Sequence, residues 1–257
     1  MSDWSPKEYL NFKAERTQPA VDLIARLPNR APKSIVDLGC GPGNSTALLR
    51  RAFPSAELTG IDSSPAMIAA ARQSVSDARF VEADVAGWRP AAQTDLVFSN
   101  ALFQWLPDRD QVMRQVLQSL KNAAVFALQM PDNLDEPSHS LMREVAANGP
   151  WRPKVISAIE ARRKLGDERH YYDLFSPLSA HLLIWRTTYV HVLDNHEAIA
   201  NMLASTGLKP FLDPLTEEER KSFRADYVAR LSEHYPAARD GRVLFRFPRL
   251  FVIAIRA

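Results

Sequence analysis

The chain has 257 residues, 46% of them hydrophobic and 24% charged, which suits one large α/β domain with an ordinary core. No apolar run reaches the roughly 18 residues a membrane span needs, and a formal net charge of +2 gives no footing for a nucleic-acid partner. One cysteine cannot form an internal disulfide, and residues 1–6 lack a basic segment leading into an apolar one, so a cytoplasmic location is expected. Residues 1–150 carry 15 Lys/Arg against 17 Asp/Glu, and residues 151–257 carry 17 against 13. The mildly basic second part suits an anionic ligand, or simply a solvated surface.

Two helices are expected over residues 4–27, with Leu10, Phe12, Leu23, Ile24 and Leu27 as apolar positions and Thr17 and Pro19 opening the second. Residues 34–38 form a short strand whose apolar run leads into an acid, Asp37, the pattern of a buried parallel strand. A glycine-dense turn and a helix over 45–52 follow. The next strand, 57–61, ends at Asp62, and Ser64-Pro65 starts a helix that packs on Met67 and Ile68. A third strand over 78–82 ends near Asp84, and a fourth over 95–98 runs into Ser99-Asn100. Residues 108–120 read as helix and 124–129 as a fifth strand. This alternation predicts a doubly wound parallel sheet.

The alternation stops after Pro131, and residues 132–180 are too long for a plain loop, so a cap insertion is expected there. A strand over 182–193, a helix over 196–206 closed by Gly207, and an amphipathic helix over 216–235 come next. Thr216 and Glu219 have the spacing of a capping box. Strand-like residues 243–245 and 250–255 close the chain, separated by Pro248. One domain accounts for the whole.

The most informative stretch is Asp37-Leu38-Gly39-Cys40-Gly41-Pro42-Gly43. Glycines let the backbone take positive φ and let a ligand lie on bare main chain, and the helix that follows aims unpaired N–H groups at it. A dinucleotide fingerprint needs a small residue where Asn44 stands, and a P-loop needs a lysine that is missing. The stretch resembles the first motif of the Rossmann-like S-adenosylmethionine-dependent methyltransferases. That resemblance implies S-adenosyl-L-methionine as cofactor, and a mostly parallel seven-stranded sheet with an antiparallel C-terminal strand and a helical cap. Asp37 then attracts the cofactor's ammonium, Gly39, Gly41 and Gly43 make the cradle, Asp62 takes the ribose hydroxyls, and Asp84 takes the adenine amino group. Ser63, Met67, Val85 and Asn100 complete the expected cofactor set.

Other chemistries lack their signatures. The Asn-Pro-Pro-Tyr or Asp-Pro-Pro-Tyr stretch of base and glutamine methylation is replaced by Ser99-Asn100-Ala101-Leu102-Phe103. Cys40 lies inside the glycine turn, where a structural role is expected. All six histidines fall after residue 138 without metal-ligand spacing, so no metal is expected.

Further pieces resemble a branch of the same family that methylates small polycarboxylates such as trans-aconitate. They include Trp4-Ser5-Pro6, Glu15-Arg16-Thr17, Gln129-Met130-Pro131-Asp132-Asn133, Glu136-Pro137-Ser138-His139, Gly149-Pro150-Trp151, Tyr171-Tyr172, Thr206-Gly207-Leu208-Lys209-Pro210-Phe211 and Asp240-Gly241-Arg242. Departures are Lys121-Asn122-Ala123-Ala124 before the fifth strand and Asn201-Met202-Leu203-Ala204-Ser205 later. The implied reaction is methyl transfer to a carboxylate oxygen. An anionic acceptor needs no general base, so no catalytic acid or base is expected. Guanidinium and phenol groups should grip the remaining carboxylates. The candidates are Tyr9, Arg16, Gln129, Trp151, Tyr171, Tyr172, Arg242 and Arg246, although a structural ion pair explains Arg16 and a cap anchor explains Trp151 equally well. A phenol or amine acceptor, and cofactor binding without transfer, are the alternatives. A monomer is the default expectation.

Overall fold

A computed structural model describes residues 13–28, 31–160 and 162–257, with side chains from residue 17 onward. Its centre is a seven-stranded sheet in the order β3-β2-β1-β4-β5-β7-β6. The strands are β1 (Ser34–Leu38), β2 (Glu57–Asp62), β3 (Arg79–Glu82), β4 (Leu96–Asn100), β5 (Val125–Pro131), β6 (Ser179–Leu193) and β7 (Val243–Arg256). β1 to β5 pair in parallel, and β7 runs antiparallel between β5 and β6. The expected doubly wound sheet with its antiparallel C-terminal strand is therefore present.

Side-chain alternation explains why both faces are covered. Val97, Phe126, Leu128, Leu250 and Val252 face one way, against α4 (Arg109–Ser119) and α7 (Glu168–Phe175). Leu96, Phe98, Val125, Ala127, Phe251 and Ile253 face the other, against α1 (Lys13–Ala25) and α2 (Asn44–Ala52). All seven residues of β5 are buried, as a central strand covered on both faces requires.

A second core lies beyond the sheet. It joins α5 (Pro137–Asn148), α6 (Arg152–Glu160), α8 (His196–Ala204), the short α9 (Lys209–Leu212) and α10 (Glu217–His234) to Leu193, Val243, Phe245 and Phe247. β5 ends at Pro131, opposite Arg249, whereas β6 and β7 continue together to Leu193 and Val243. The cap is thus built on a two-stranded ribbon that outruns the sheet. Its helices come from both sides of β6, and the expected insertion divides: residues 137–160 belong to the cap, while Leu165, Tyr171 and Phe175 return to the sheet core.

Three local expectations are corrected. Thr17 and Pro19 do not open a helix, since α1 runs unbroken from Lys13 to Ala25 with Pro19 inside it. Pro248 does not interrupt the last strand. Its carbonyl accepts from Asp132 N at 2.9 Å where β5 stops, so the ring sits at the margin of the ladder. Gly207 does not close α8 in a left-handed conformation, since positive φ among the described glycines is confined to Gly39, Gly41, Gly43 and Gly241. What Gly207 supplies is room: a Cβ there would stand 3.0 Å from His139 Nε2. The capping box of α10 forms as the spacing implied, with Thr216 N donating to Glu219 at 2.8 Å.

Candidate active site

Strand order reverses between β1 and β4, and open α/β sheets bind ligands at the carboxyl ends of the strands beside such a reversal. The glycine turn leaves β1 there. Gly39, Gly41 and Gly43 have φ of 74°, 53° and 91°. The N–H groups of Gly39 and Cys40 both donate to Ile61 O, at 2.8 and 2.9 Å, which ties the turn to the end of β2. A Cβ on Gly39 would strike Leu102 at 2.8 Å, whereas one on Gly41 would meet nothing within 4 Å. Gly41 therefore offers open backbone to a ligand. Cys40 is buried, and burial pushes its thiol up, away from a reactive thiolate.

Asp37 lies beneath this turn. Its Oδ2 accepts from Ser45 Oγ at 2.7 Å and Thr46 Oγ1 at 2.6 Å, and its buried Oδ1 has no partner. Burial pushes the carboxyl up to about 6, against the pull of the two hydroxyls. Asp62 holds the turn by accepting from Gly41 N at 2.9 Å and Ser64 N at 3.0 Å. Ser63 is exposed beside it. Met67 is buried on α3 (Pro65–Ser74), and its N–H donates to the N-cap hydroxyl of Ser64 at 3.2 Å. Asp84 is exposed after β3, accepting from Ala86 N at 3.0 Å, with Val85 buried next to it. These residues cluster at the carboxyl ends of β1, β2 and β3, around the open space over Gly41 Cα and an unpartnered buried acceptor. That arrangement fits a ligand with an ammonium and a nucleoside.

A pocket opens where β4 and β5 end, its floor made by Asn100, Ala101 and Pro131. Ala101 has a φ of 60°, an uncommon value for a residue with a side chain, and its carbonyl accepts from Gln104 Nε2 at 2.6 Å. Gln129 is fully buried. Its amide donates to Asn100 Oδ1 and its oxygen accepts from Arg249 Nη1 at 3.2 Å, linking the end of β4 to a guanidinium. Arg249 also lies over the Phe247 ring at 4.6 Å. Opposite stands Arg162, with its guanidinium 5.1 Å from the Trp105 ring centroid and 3.3 Å from Asn133 Oδ1. Its Nε is buried without a partner, and it forms no ion pair within 4 Å among the described residues. Burial, with Arg143 and Arg109 adding, brings Arg162 down to about 10, so it stays cationic at neutral pH.

The segment carrying Arg162 is irregular and is stapled from outside. Arg109 donates to the carbonyls of Arg163, at 3.1 Å, and Lys164. Arg186 donates to Gly166 O at 2.8 Å and to Asp132 at 2.7 Å. His139 completes the wall. The Ser138 amide donates to Tyr235 Oη at 3.1 Å, and the Ser138 carbonyl accepts from Tyr227 Oη at 2.8 Å, so α10 and the residue that caps its C-terminus fix its position. Burial, with Arg162 and Arg143 adding, holds the His139 ring well below its ordinary range and leaves it neutral.

Of the expected substrate residues, none with a described side chain lines this pocket; Gln129 lies buried behind it, bonded to Asn100 and Arg249, which do. Trp151 is buried in the cap, donating to Val145 O at 2.9 Å and packing on Phe223 at 5.2 Å. Tyr171 is in the sheet core, where burial pushes its phenol up to about 12. Tyr172 is exposed on the outer face of α7. Arg242 pairs with Asp240 at 3.3 Å and Arg246 with Glu136 at 3.9 Å, both largely exposed. Tyr9 and the Arg16 side chain lie outside the described residues. The residues that line the pocket unexpectedly are Gln104, Trp105, Asn133, His139, Arg162 and Arg249. Counting by twos through Pro248 would have found Arg249, which shares a strand face with Phe245 and Phe247.

No group of three metal-ligating side chains occurs among the described residues, and none of their helices is long and apolar enough to cross a membrane. Residues 35–123 match a family described as a methyltransferase domain. A trans-aconitate 2-methyltransferase of Rhodopseudomonas palustris (strain BisB18) is 49% identical over 256 residues, covering 100% of both chains. One from Yersinia pestis (strain Pestoides F) is 49% identical over 254 residues, covering 99% of this chain and 98% of its own. Among solved structures, Haemonchus contortus phosphoethanolamine N-methyltransferase 2 in complex with S-adenosyl-L-methionine shares the fold. Its TM-score is 0.54 at 13% identity, over 93% of this chain and 53% of that one. Identity near one half along its entire length places the chain in the trans-aconitate 2-methyltransferase family, carboxyl O-methyltransferases that depend on S-adenosylmethionine.

Proposed function

We propose that this protein methylates one carboxylate of trans-aconitate, giving a monomethyl ester without a general base. The observation that carries the reading is the charge inventory of the pocket: two guanidiniums, Arg162 and Arg249, a neutral histidine, and no carboxylate among the lining residues. Such a site suits an acceptor with several negative charges.

The cofactor-holding residues are Gly41, whose backbone is open, Asp37, whose free Oδ1 suits an ammonium, and Asp62, Ser63, Met67, Asp84, Val85 and Asn100 around them. When bound there, S-adenosylmethionine supplies an electrophilic methyl whose C–S bond breaks as the O–C bond forms, the electron pair staying on sulfur and no proton moving.

The chain contributes placement. Arg249 is aimed by the Gln129–Asn100 link, so the acceptor is fixed relative to the end of β4. Arg162 holds a second carboxylate, and Leu203, Gly207 and Phe247 exclude water. Orientation of this kind accounts for roughly 7–11 kcal/mol of barrier reduction in well-aligned intramolecular reactions. His139 is a poor proton acceptor, which is no handicap to a carboxylate acceptor and would be one to a phenol or an ammonium.

Transfer of labelled methyl to trans-aconitate and to a panel of di- and tricarboxylates tests the reading. Label that is released in mild base marks an ester. A base-stable product, or no transfer to any carboxylate, overturns it.

A further inference from the structure

A second hollow adjoins the first and shares Trp105, His139, Arg162 and Gly207 with it. Its far side carries Arg143, from α5, and Lys164. Lys164 pairs with Asp135, the one carboxylate among the lining residues, so that charge is spent. Arg143 is half-buried, its described hydrogen bond going to the Leu134 carbonyl at 2.8 Å, and it forms no ion pair within 4 Å among the described residues. Arg162 stands between the two hollows in the same condition. Two half-buried guanidiniums, neither in an ion pair within 4 Å among the described residues, repel one another here, and Asp132 offsets that repulsion at Arg162 only in part. An anion between them would relieve both.

We propose that this hollow is a second anion subsite, in which Arg143 and Arg162 bind a carboxylate remote from the one that is methylated, so that the site selects tricarboxylates over dicarboxylates. The inference rests on the carboxyl-transfer reading and adds to it a subsite and a selectivity. Gly207 is part of the device, because a side chain there would press on His139, which both hollows share. Arg143 is a substrate-binding residue in this proposal and takes no part in the chemical step.

The test is a thermodynamic cycle between the protein and the ligand. Dissociation constants are measured by calorimetry, in the presence of S-adenosylhomocysteine, for trans-aconitate and each of its three monoamides with wild type, Arg143→Gln and Arg143→Lys. Arg143→Gln should weaken trans-aconitate about tenfold, as expected for one charge-assisted contact. Arg143→Lys should recover part of that, and one monoamide should bind both proteins with less than a twofold difference. That monoamide identifies the carboxylate held in the second hollow. An unchanged affinity of Arg143→Gln for trans-aconitate overturns the proposal, as does a tenfold loss that persists with all three monoamides. Failure of carboxyl transfer itself is seen separately, as wild type that forms no base-labile ester.

Discussion

Asp37 shows how a single buried residue can hold the fold and the cofactor cradle in tension. Its carboxyl titrates near 6 in the folded protein, against an ordinary 3.8, because burial outweighs the two hydroxyls that donate to it. Between about pH 4 and pH 6 the folded chain keeps a proton that the unfolded chain has released, so stability falls as pH rises through that window. The total is on the order of 3 kcal/mol, lost in full above the folded value. Asp37→Asn keeps an acceptor for Ser45 and Thr46 and removes the titration. Urea unfolding at pH 4.5 and 7.5 should therefore show the variant gaining about 2 kcal/mol on wild type between the two pH values. A difference that does not change with pH would show that Asp37 ionises normally. Cofactor affinity should fall in the same variant, because the unpartnered Oδ1 becomes part of a neutral amide.

At the scale of elements, the parts legible in the sequence are those whose signals are local. The glycine turn, the acids that end β2 and β3, the capping box of α10 and the alternation through β5 all depend on residues within a few positions of one another. The substrate wall depends on contacts that span the chain. Arg162 lies in an irregular segment held by Arg109 and Arg186, and no periodicity marks which of several basic residues there turns inward. Trp151 is conspicuous in the sequence but serves the cap, and Gly149 precedes it because a Cβ there would overlap the indole at 2.1 Å. The pieces that carried the finer resemblance do reach the site: Gln129, Asn133, His139 and Gly207 all border the pocket or its links. Trp151→Phe separates the two roles of an aromatic. It removes the bond to Val145 O and leaves a void against Phe223, so a loss of about 2 kcal/mol in stability is expected. The KM for trans-aconitate, measured at a temperature where the variant stays folded, should stay within twofold of wild type. A tenfold rise in KM with stability intact would put the indole against the substrate.

For the molecule as a whole, the sheet and the cap divide the work. The sheet fixes the glycine turn at the reversal of strand order, and the β6–β7 ribbon carries Arg249 and the cap helices out beyond it; under the proposed function the acceptor is gripped from that cap side. The pH dependence of such a machine follows from its charges. Carboxylates of the acceptor must be ionised, which sets a limb in the acid range near their ordinary values of about 4. His139 is neutral throughout the working range and contributes no inflection near 7. Arg162 is active as the cation; its charged fraction falls as pH rises through about 10, and binding falls with it. The expected profile of kcat/KM for trans-aconitate is flat between about pH 7 and 9, with a decline approaching 10 that is absent from the affinity for S-adenosylhomocysteine. In Arg162→Met the plateau should drop by about tenfold or more and the alkaline decline should vanish, while thermal stability rises slightly because an unpaired buried charge has been replaced by an apolar chain. A bell with an inflection between pH 6.5 and 8 would mean that a titrating base takes part, and the base-free transfer would have to be given up.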